Sequence, residues 1–133
     1  MIVLDTSAAL DALLSRPTYA RLARRLRLAD EVTAPHLIDV EVLHVLRRLV
    51  RTGRITPHQA ADTRLDFRDL RILRYPHTGF ADRIWELRNA VSAYDAAYIA
   101  LAEALGCPLV TTDARIATAS GHRAEVEVYG AGD

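Results

Sequence analysis

Apolar residues along the chain alternate between short unbroken runs and longer stretches where they recur every three or four positions. Ile2-Val3-Leu4 is a short run of the first kind, and it stops at Asp5. Thr6 and Ser7 are helix-capping residue types, so a helix is predicted from about Ser7 to Leu14. It ends before Pro17, which can itself open a second helix through about Leu28. Glu31-Val32-Thr33-Ala34 is a weak strand closed by Pro35. Between Leu37 and Val50 the apolar positions 38, 42, 45, 46 and 49 keep helical spacing, and Gly53 marks the end. Thr56-Pro57 opens a helix to about Leu70, and Arg71-Ile72-Leu73 is a strand. Two helices follow, about 79–91 and 93–105, with Gly106 as the stop. Pro108-Leu109-Val110-Thr111 is a strand, Asp113 to about Ala119 a short helix, and Val126-Glu127-Val128 a last strand.

Strand and helix in alternation predict an α/β fold, with a central parallel sheet and helices on both faces. No linker, low-complexity segment or repeat divides the chain, so residues 1–133 are expected to form one domain. In open sheets of this kind the functional crevice lies beyond the carboxyl ends of the strands. Asp5 and Asp113 each follow an apolar strand directly, which places both at that edge.

Composition narrows the chemistry. Half of the 133 residues are apolar, as a globular chain requires. No apolar run approaches the roughly 20 residues of a membrane span, and the opening MIVLD lacks the basic start of a signal peptide. The one cysteine, Cys107, excludes an internal disulfide framework and fits a reducing cytoplasm. Beside Pro108 it reads as a small core residue. All 17 basic residues are arginine. With no lysine, Schiff-base chemistry, the phosphate-binding P-loop and Ser–Lys hydrolysis are excluded. The formal net charge is zero, but residues 1–74 hold 13 arginines against 9 acids and residues 75–133 hold 4 against 8. Bulk electrostatic capture of nucleic acid is therefore not expected, whereas local arginine patches can still meet a phosphate backbone.

Four carboxylates stand out by position. Asp5 and Asp113 end strands; Glu41 lies in the first turn of the 37–50 helix beside its apolar stripe; Asp95 lies in the first turn of the 93–105 helix. Carboxylates gathered in one crevice repel, so either some protonate or cations hold them together. Mg²⁺ prefers oxygen ligands, often one or two carboxylates with waters and substrate phosphates. One such ion, or two about 4 Å apart, can activate water and steady the leaving oxygen of a phosphodiester. Taken singly, each acid also has a structural explanation. Asp113 and Asp5 can be N-caps, Ser92-x-x-Asp95 resembles a capping box, and Glu41 is favoured by the helix dipole.

The stretches IVLDTSAALDALL, PHLIDVEVLHVLRRL and SAYDAAYIALAEALGCPLVTTDARIA resemble the PIN-domain toxins of bacterial toxin–antitoxin pairs, the VapC type. The resemblance covers nearly the whole chain, in order, and its most specific element is YDAAYIALAEALGCPLVTTD. It implies a PIN-like fold and an endoribonuclease that hydrolyses RNA with Mg²⁺ or Mn²⁺. The metal-ligand positions of that family fall on Asp5, Glu41, Asp95 and Asp113. The hydroxyl residue before the last acid, Thr112, would orient a metal-bound water. Some relatives carry a further acid shortly after the last one, where this chain has Arg115-Ile116. A second metal would then be weakly held or arrive with RNA. The resemblance also implies a cytoplasmic toxin inhibited by a cognate VapB-type antitoxin, and a homodimer.

Among the other residues, Thr6 and Ser7 can hydrogen-bond near the metal, though capping accounts for them too. Asp39 points to another side of its helix from Glu41 and is expected in solvent. The five histidines show no paired zinc-ligand spacing. Arg16, Arg21, Arg24, Arg25 and Arg27 can contact RNA phosphates, an acidic partner segment, or water alone. Tyr94 and Tyr98 read as core or interface, and Trp85 as packing. Two rival readings remain at this point. One is an aspartyl-phosphate phosphatase with Asp5 as nucleophile, weakened by Ser7 in the second acid's place and by the missing lysine. The other is a non-catalytic PIN-like module that binds RNA or protein.

Overall fold

In the computed structural model, which describes residues 1–15 and 17–132, five short strands alternate with seven α-helices. The strands are β1 (Ile2–Leu4), β2 (Val32–Pro35), β3 (Ile72–Tyr75), β4 (Leu109–Thr111) and β5 (Val126–Val128). The helices are α1 (Thr6–Leu14), α2 (Ala20–Leu28), α3 (Ile38–Arg51), α4 (Pro57–Asp69), α5 (Ala81–Glu86), α6 (Ala93–Leu105) and α7 (Ala114–Thr118). A 3₁₀ turn, Thr78–Phe80, leads into α5. The strands form one all-parallel sheet in the order β3-β2-β1-β4-β5. Val3 pairs with Thr33 on one side and Leu109 on the other. β1 is therefore central, and all three of its residues are buried, as a strand covered on both faces must be.

Right-handed crossovers fix where the helices go. The chain steps outward from β1 to β2 and β3, then returns across the sheet to β4 and β5, so α1–α4 cover one face and α5–α7 the other. In agreement, α1 packs on α2, α3 and α4, whereas α5 packs on α6, which lies over β1, β2 and β4. Direction reverses between β1 and β4, which makes the carboxyl ends of these two strands the switch point where ligands bind. Helix α6 is buried continuously from Ala96 to Ala102. Its alanines allow close approach to the sheet, while Tyr98, Ile99 and Leu101 fill the space between. Ser92 accepts a hydrogen bond from the Asp95 amide (3.1 Å), and Gly106 ends the helix at φ 63°, a left-handed conformation that suits glycine. No helix among the described residues is long and apolar enough to cross a membrane.

Several local expectations are corrected. Pro17 does not open α2: residues 17–19 form a turn, in which the Thr18 and Tyr19 amides bond back to the Ser15 carbonyl. The segment 79–91 is not one helix. α5 ends at Glu86, Leu87 turns inward to 2 % exposure, and Trp85 is left 67 % exposed with the Arg88 guanidinium 4.5 Å from its ring centre. Asp39 is not free in solvent, because β3 runs on to Tyr75 and brings Arg74 against it through two contacts of 2.6 and 2.7 Å. Within the arginine stretch, Arg25 grips Glu127 of β5 (2.8 and 3.1 Å) and Arg21 lies over Tyr129. Arg16 falls outside the described residues. Cys107 is buried, as expected.

Candidate active site

Asp5 continues β1 through a backbone bond from its amide to the Val110 carbonyl (3.2 Å), then starts α1 as its N-cap. One carboxylate oxygen, Oδ1, accepts from the Ala8 amide (2.9 Å) and the Ser7 hydroxyl (2.7 Å), and Oδ2 accepts from Thr111 Oγ1. Capping of α1 is thus the work of Asp5, not of Thr6 or Ser7, whose hydroxyls are turned into the cleft. Burial pushes the Asp5 carboxyl up to about 6; the three hydrogen bonds pull the other way, and the Asp95 charge adds to the rise.

Glu41, in the first turn of α3, accepts from Tyr98 Oη (2.6 Å) and Thr6 Oγ1 (3.1 Å). Tyr98 and Thr6 also share a bond of 2.9 Å, so one carboxylate oxygen joins α1, α3 and α6. Burial raises Glu41 above the usual carboxylate range, and the Asp95 charge contributes. Asp95, half-buried in the first turn of α6, is raised by burial and then by Asp113. Asp113 caps α7 through the Arg115 amide (3.0 Å) and is gripped by the Arg115 guanidinium, which holds it below the ordinary range.

All four predicted acids line one cavity of about 410 Å³ at the carboxyl ends of β1 and β4. A larger cavity of about 640 Å³ lies beside the first residues of β2 and β3, among Leu26, Ala29 and Leu73. Volume therefore does not mark the chemistry, whereas convergence of acids does. Three of the four carry a raised pKa, each partly because of another member of the set. That mutual repulsion in a low-dielectric cleft is what a bound cation would relieve.

A family model described as PIN domain matches residues 2–121. The chain belongs to the PIN-domain family. It is 43 % identical over 128 residues to Ribonuclease VapC12 of Mycobacterium tuberculosis, covering 96 % of this chain and 98 % of that one. It is 47 % identical over 116 residues to Ribonuclease VapC9 of the same organism, covering 87 % and 88 %. Its fold is similar to VapBC2 from Rickettsia felis bound to a DNA fragment from their promoter (TM-score 0.69, 15 % identity, 97 % and 99 % covered). It is also similar to M. tuberculosis VapC20, a sarcin–ricin-loop-cleaving toxin (TM-score 0.67, 16 % identity, 92 % and 97 % covered).

In this PIN domain the donors suit a hard divalent ion, being carboxylates and hydroxyls without a sulfur or imidazole. Among the described residues no three such acids close tightly around one point. An ion held there would have to complete its coordination with ligands other than these side chains.

The sequence singles out Thr112, whereas its neighbour Thr111 is the one in contact with Asp5. Thr112 Oγ1 donates to Asp11 (2.6 Å) and its amide to Ser7 Oγ (3.2 Å), while Thr111 is the residue that touches Asp5 and receives the Asp113 amide (3.0 Å). Thr111 is the last residue of β4 and wholly buried. Which of two adjacent threonines faces β1 depends on strand pairing, and their spacing carries no sign of it. Asp11, a fifth acid on the cavity, lies about one and two-thirds helical turns beyond Asp5, and nothing in its spacing singles it out.

Proposed function

We propose that residues 1–133 form a PIN-type endoribonuclease, the toxin of a VapBC-type pair. It cleaves RNA phosphodiester bonds at the cavity lined by Asp5, Glu41, Asp95 and Asp113. The observation that carries this reading is the convergence of those acids, drawn from separate strands and helices, with Asp5 buried and held near neutrality-titrating range. The identity of 43–47 % to proteins named ribonuclease VapC, over most of both chains, supports the same activity.

The four carboxylates would hold Mg²⁺ or Mn²⁺, which when bound activates water and stabilises the leaving oxygen. The rest of the work falls to the protein. Ser7 and Thr111 fix the Asp5 carboxylate by donating to opposite oxygens, and Tyr98 with Thr6 fixes Glu41. Asp5 and Glu41 are thereby set before the substrate arrives, so little reorganisation of these two is left for the reaction itself. Thr112 acts at one remove, by positioning Asp11. A VapB-type antitoxin as inhibitor and a homodimer as the working state complete the proposal.

The test is incubation of purified protein with total cellular RNA in Mg²⁺, in Mn²⁺ and in excess EDTA, followed by mapping of new RNA ends. Discrete ends that vanish with EDTA and return with either metal are expected. Cleavage that persists unchanged in EDTA would overturn the metal mechanism, and no cleavage in any condition the nuclease itself.

A further inference from the structure

We infer that Arg115 is a lock on Asp113 that a substrate phosphate opens. In the RNA-free protein its guanidinium occupies the Asp113 carboxylate; on binding it transfers to a backbone phosphate of the RNA and releases Asp113 to the divalent ion. This rests on the metal-site reading above.

The grip is two-pronged: Nε to Oδ1 at 3.0 Å and Nη2 to Oδ2 at 2.8 Å. Both oxygens of a proposed ligand are therefore already engaged by a cation of the chain's own. Yet the Arg115 side chain is 89 % exposed, against 23 % for Asp113. Nothing packs over the guanidinium, and exposed pairs of this sort are weak and screened by salt. Arg115 also feels the Asp95 charge, and with Ser92 and Asp95 it lines a second recess of about 390 Å³. That recess shares Asp95 with the main cavity, so an RNA strand running from one to the other passes across Arg115.

A phosphate offers a guanidinium the same two-oxygen edge as a carboxylate. The exchange therefore costs Arg115 little, while removing the cation that competes with the metal. Arg48 provides the contrast. It lines the main cavity too, but among the described residues its guanidinium makes no hydrogen bond or ion pair with an acid. It can meet a phosphate without releasing anything. Because linkage is reciprocal, a lock at Arg115 makes RNA and metal favour each other's binding.

The experiment compares wild type, Arg115→Gln, Arg115→Lys and Arg48→Gln. Mn²⁺ binding to each RNA-free protein is measured by calorimetry, and binding of a short single-stranded RNA in EDTA is measured over a series of salt concentrations. Arg115→Gln should bind Mn²⁺ about three- to tenfold more tightly than wild type and bind RNA more weakly, with a salt slope smaller by about one. Arg115→Lys should fall between the two, and Arg48→Gln should weaken RNA while moving Mn²⁺ affinity much less. Equal Mn²⁺ affinity in wild type and Arg115→Gln overturns the lock and leaves the metal site standing. An equal gain in Arg48→Gln also overturns it, since the effect would be that of overall charge. No Mn²⁺ binding in any of the four overturns the lock and the metal site together.

Discussion

Asp5 serves two ends that make opposite demands on its charge. As the cap of α1 it benefits from being ionised, since it accepts from an amide at the positive end of a helix. As a buried carboxyl it favours the proton, and burial prevails, with a titration point near 6. A folded pKa above the usual carboxylate value means that the protonated form favours the fold. Its contribution is complete below about pH 4 and is lost as pH rises through 6, an effect on the order of 3 kcal/mol at most. Metal-free Asp5→Asn should escape that loss. Its amide oxygen can keep the Ala8 and Ser7 bonds, and Thr111 can turn its hydroxyl to accept from the new NH₂. The variant should melt close to wild type at about pH 4 and at a higher temperature than wild type at pH 7.5 in EDTA, with RNA cleavage abolished. A lower melting point than wild type at pH 7.5 would make Asp5 a structural cap only. The acids were legible in the sequence because all four stand at element ends, two of them directly after strands, although each alone can be explained as a helix cap or by the helix dipole. Thr111 and Asp11 were not, since their roles depend on pairing across β1 and β4 and on the turn of α1 toward the cleft.

Between elements, the contact that sets the cleft's shape is the Glu41–Tyr98–Thr6 triangle, in which α3, α6 and α1 meet at one oxygen. Tyr98 is 2 % exposed, and its hydroxyl is engaged by Glu41 and Thr6. Tyr98→Phe keeps the ring and its packing but leaves Glu41 with Thr6 alone. Loss of one charge-assisted bond should lower unfolding free energy by about 1–3 kcal/mol, read from urea denaturation. Cleavage should drop through kcat more than through KM, because Glu41 is misplaced while the RNA-binding surface is untouched. Unchanged kcat would mean that Glu41 is oriented by its helix alone. Element ends with their own chemistry were legible: Thr56 and Gln59 form the capping box that opens α4, and Gly106 closes α6. Where one turn follows another, as from Thr78 to Val91, apolar spacing suggested a continuous helix. The inward swing of Leu87 breaks it, and no local residue announces that swing.

Over the whole molecule, alternation of strand and helix was enough to foresee a parallel sheet with two covered faces. Strand order was not in the sequence, because it depends on the direction each crossover takes. That order creates the switch point between β1 and β4 and therefore the cavity. An ion bound there should stabilise the entire fold by mass action, by about 2.7 kcal/mol at a hundredfold excess over its Kd. Mn²⁺ should raise the melting temperature of wild type clearly at pH 7.5 and much less at pH 5.5, where the proton competes for Asp5. Asp5→Asn should respond weakly at both values. An equal rise in the two proteins would place the ion elsewhere.

Asp5 and Thr111 touch across 106 positions of sequence, and β1 gains its second neighbour only when β4 docks. During synthesis at roughly 5–20 residues per second, the first strand must therefore wait several seconds for its partner. For that interval the growing polypeptide carries Asp5 and Glu41 without Asp113, and has no finished cleft while still attached to a ribosome. The finished cleft therefore arrives late and all at once, after the region around β4 has emerged.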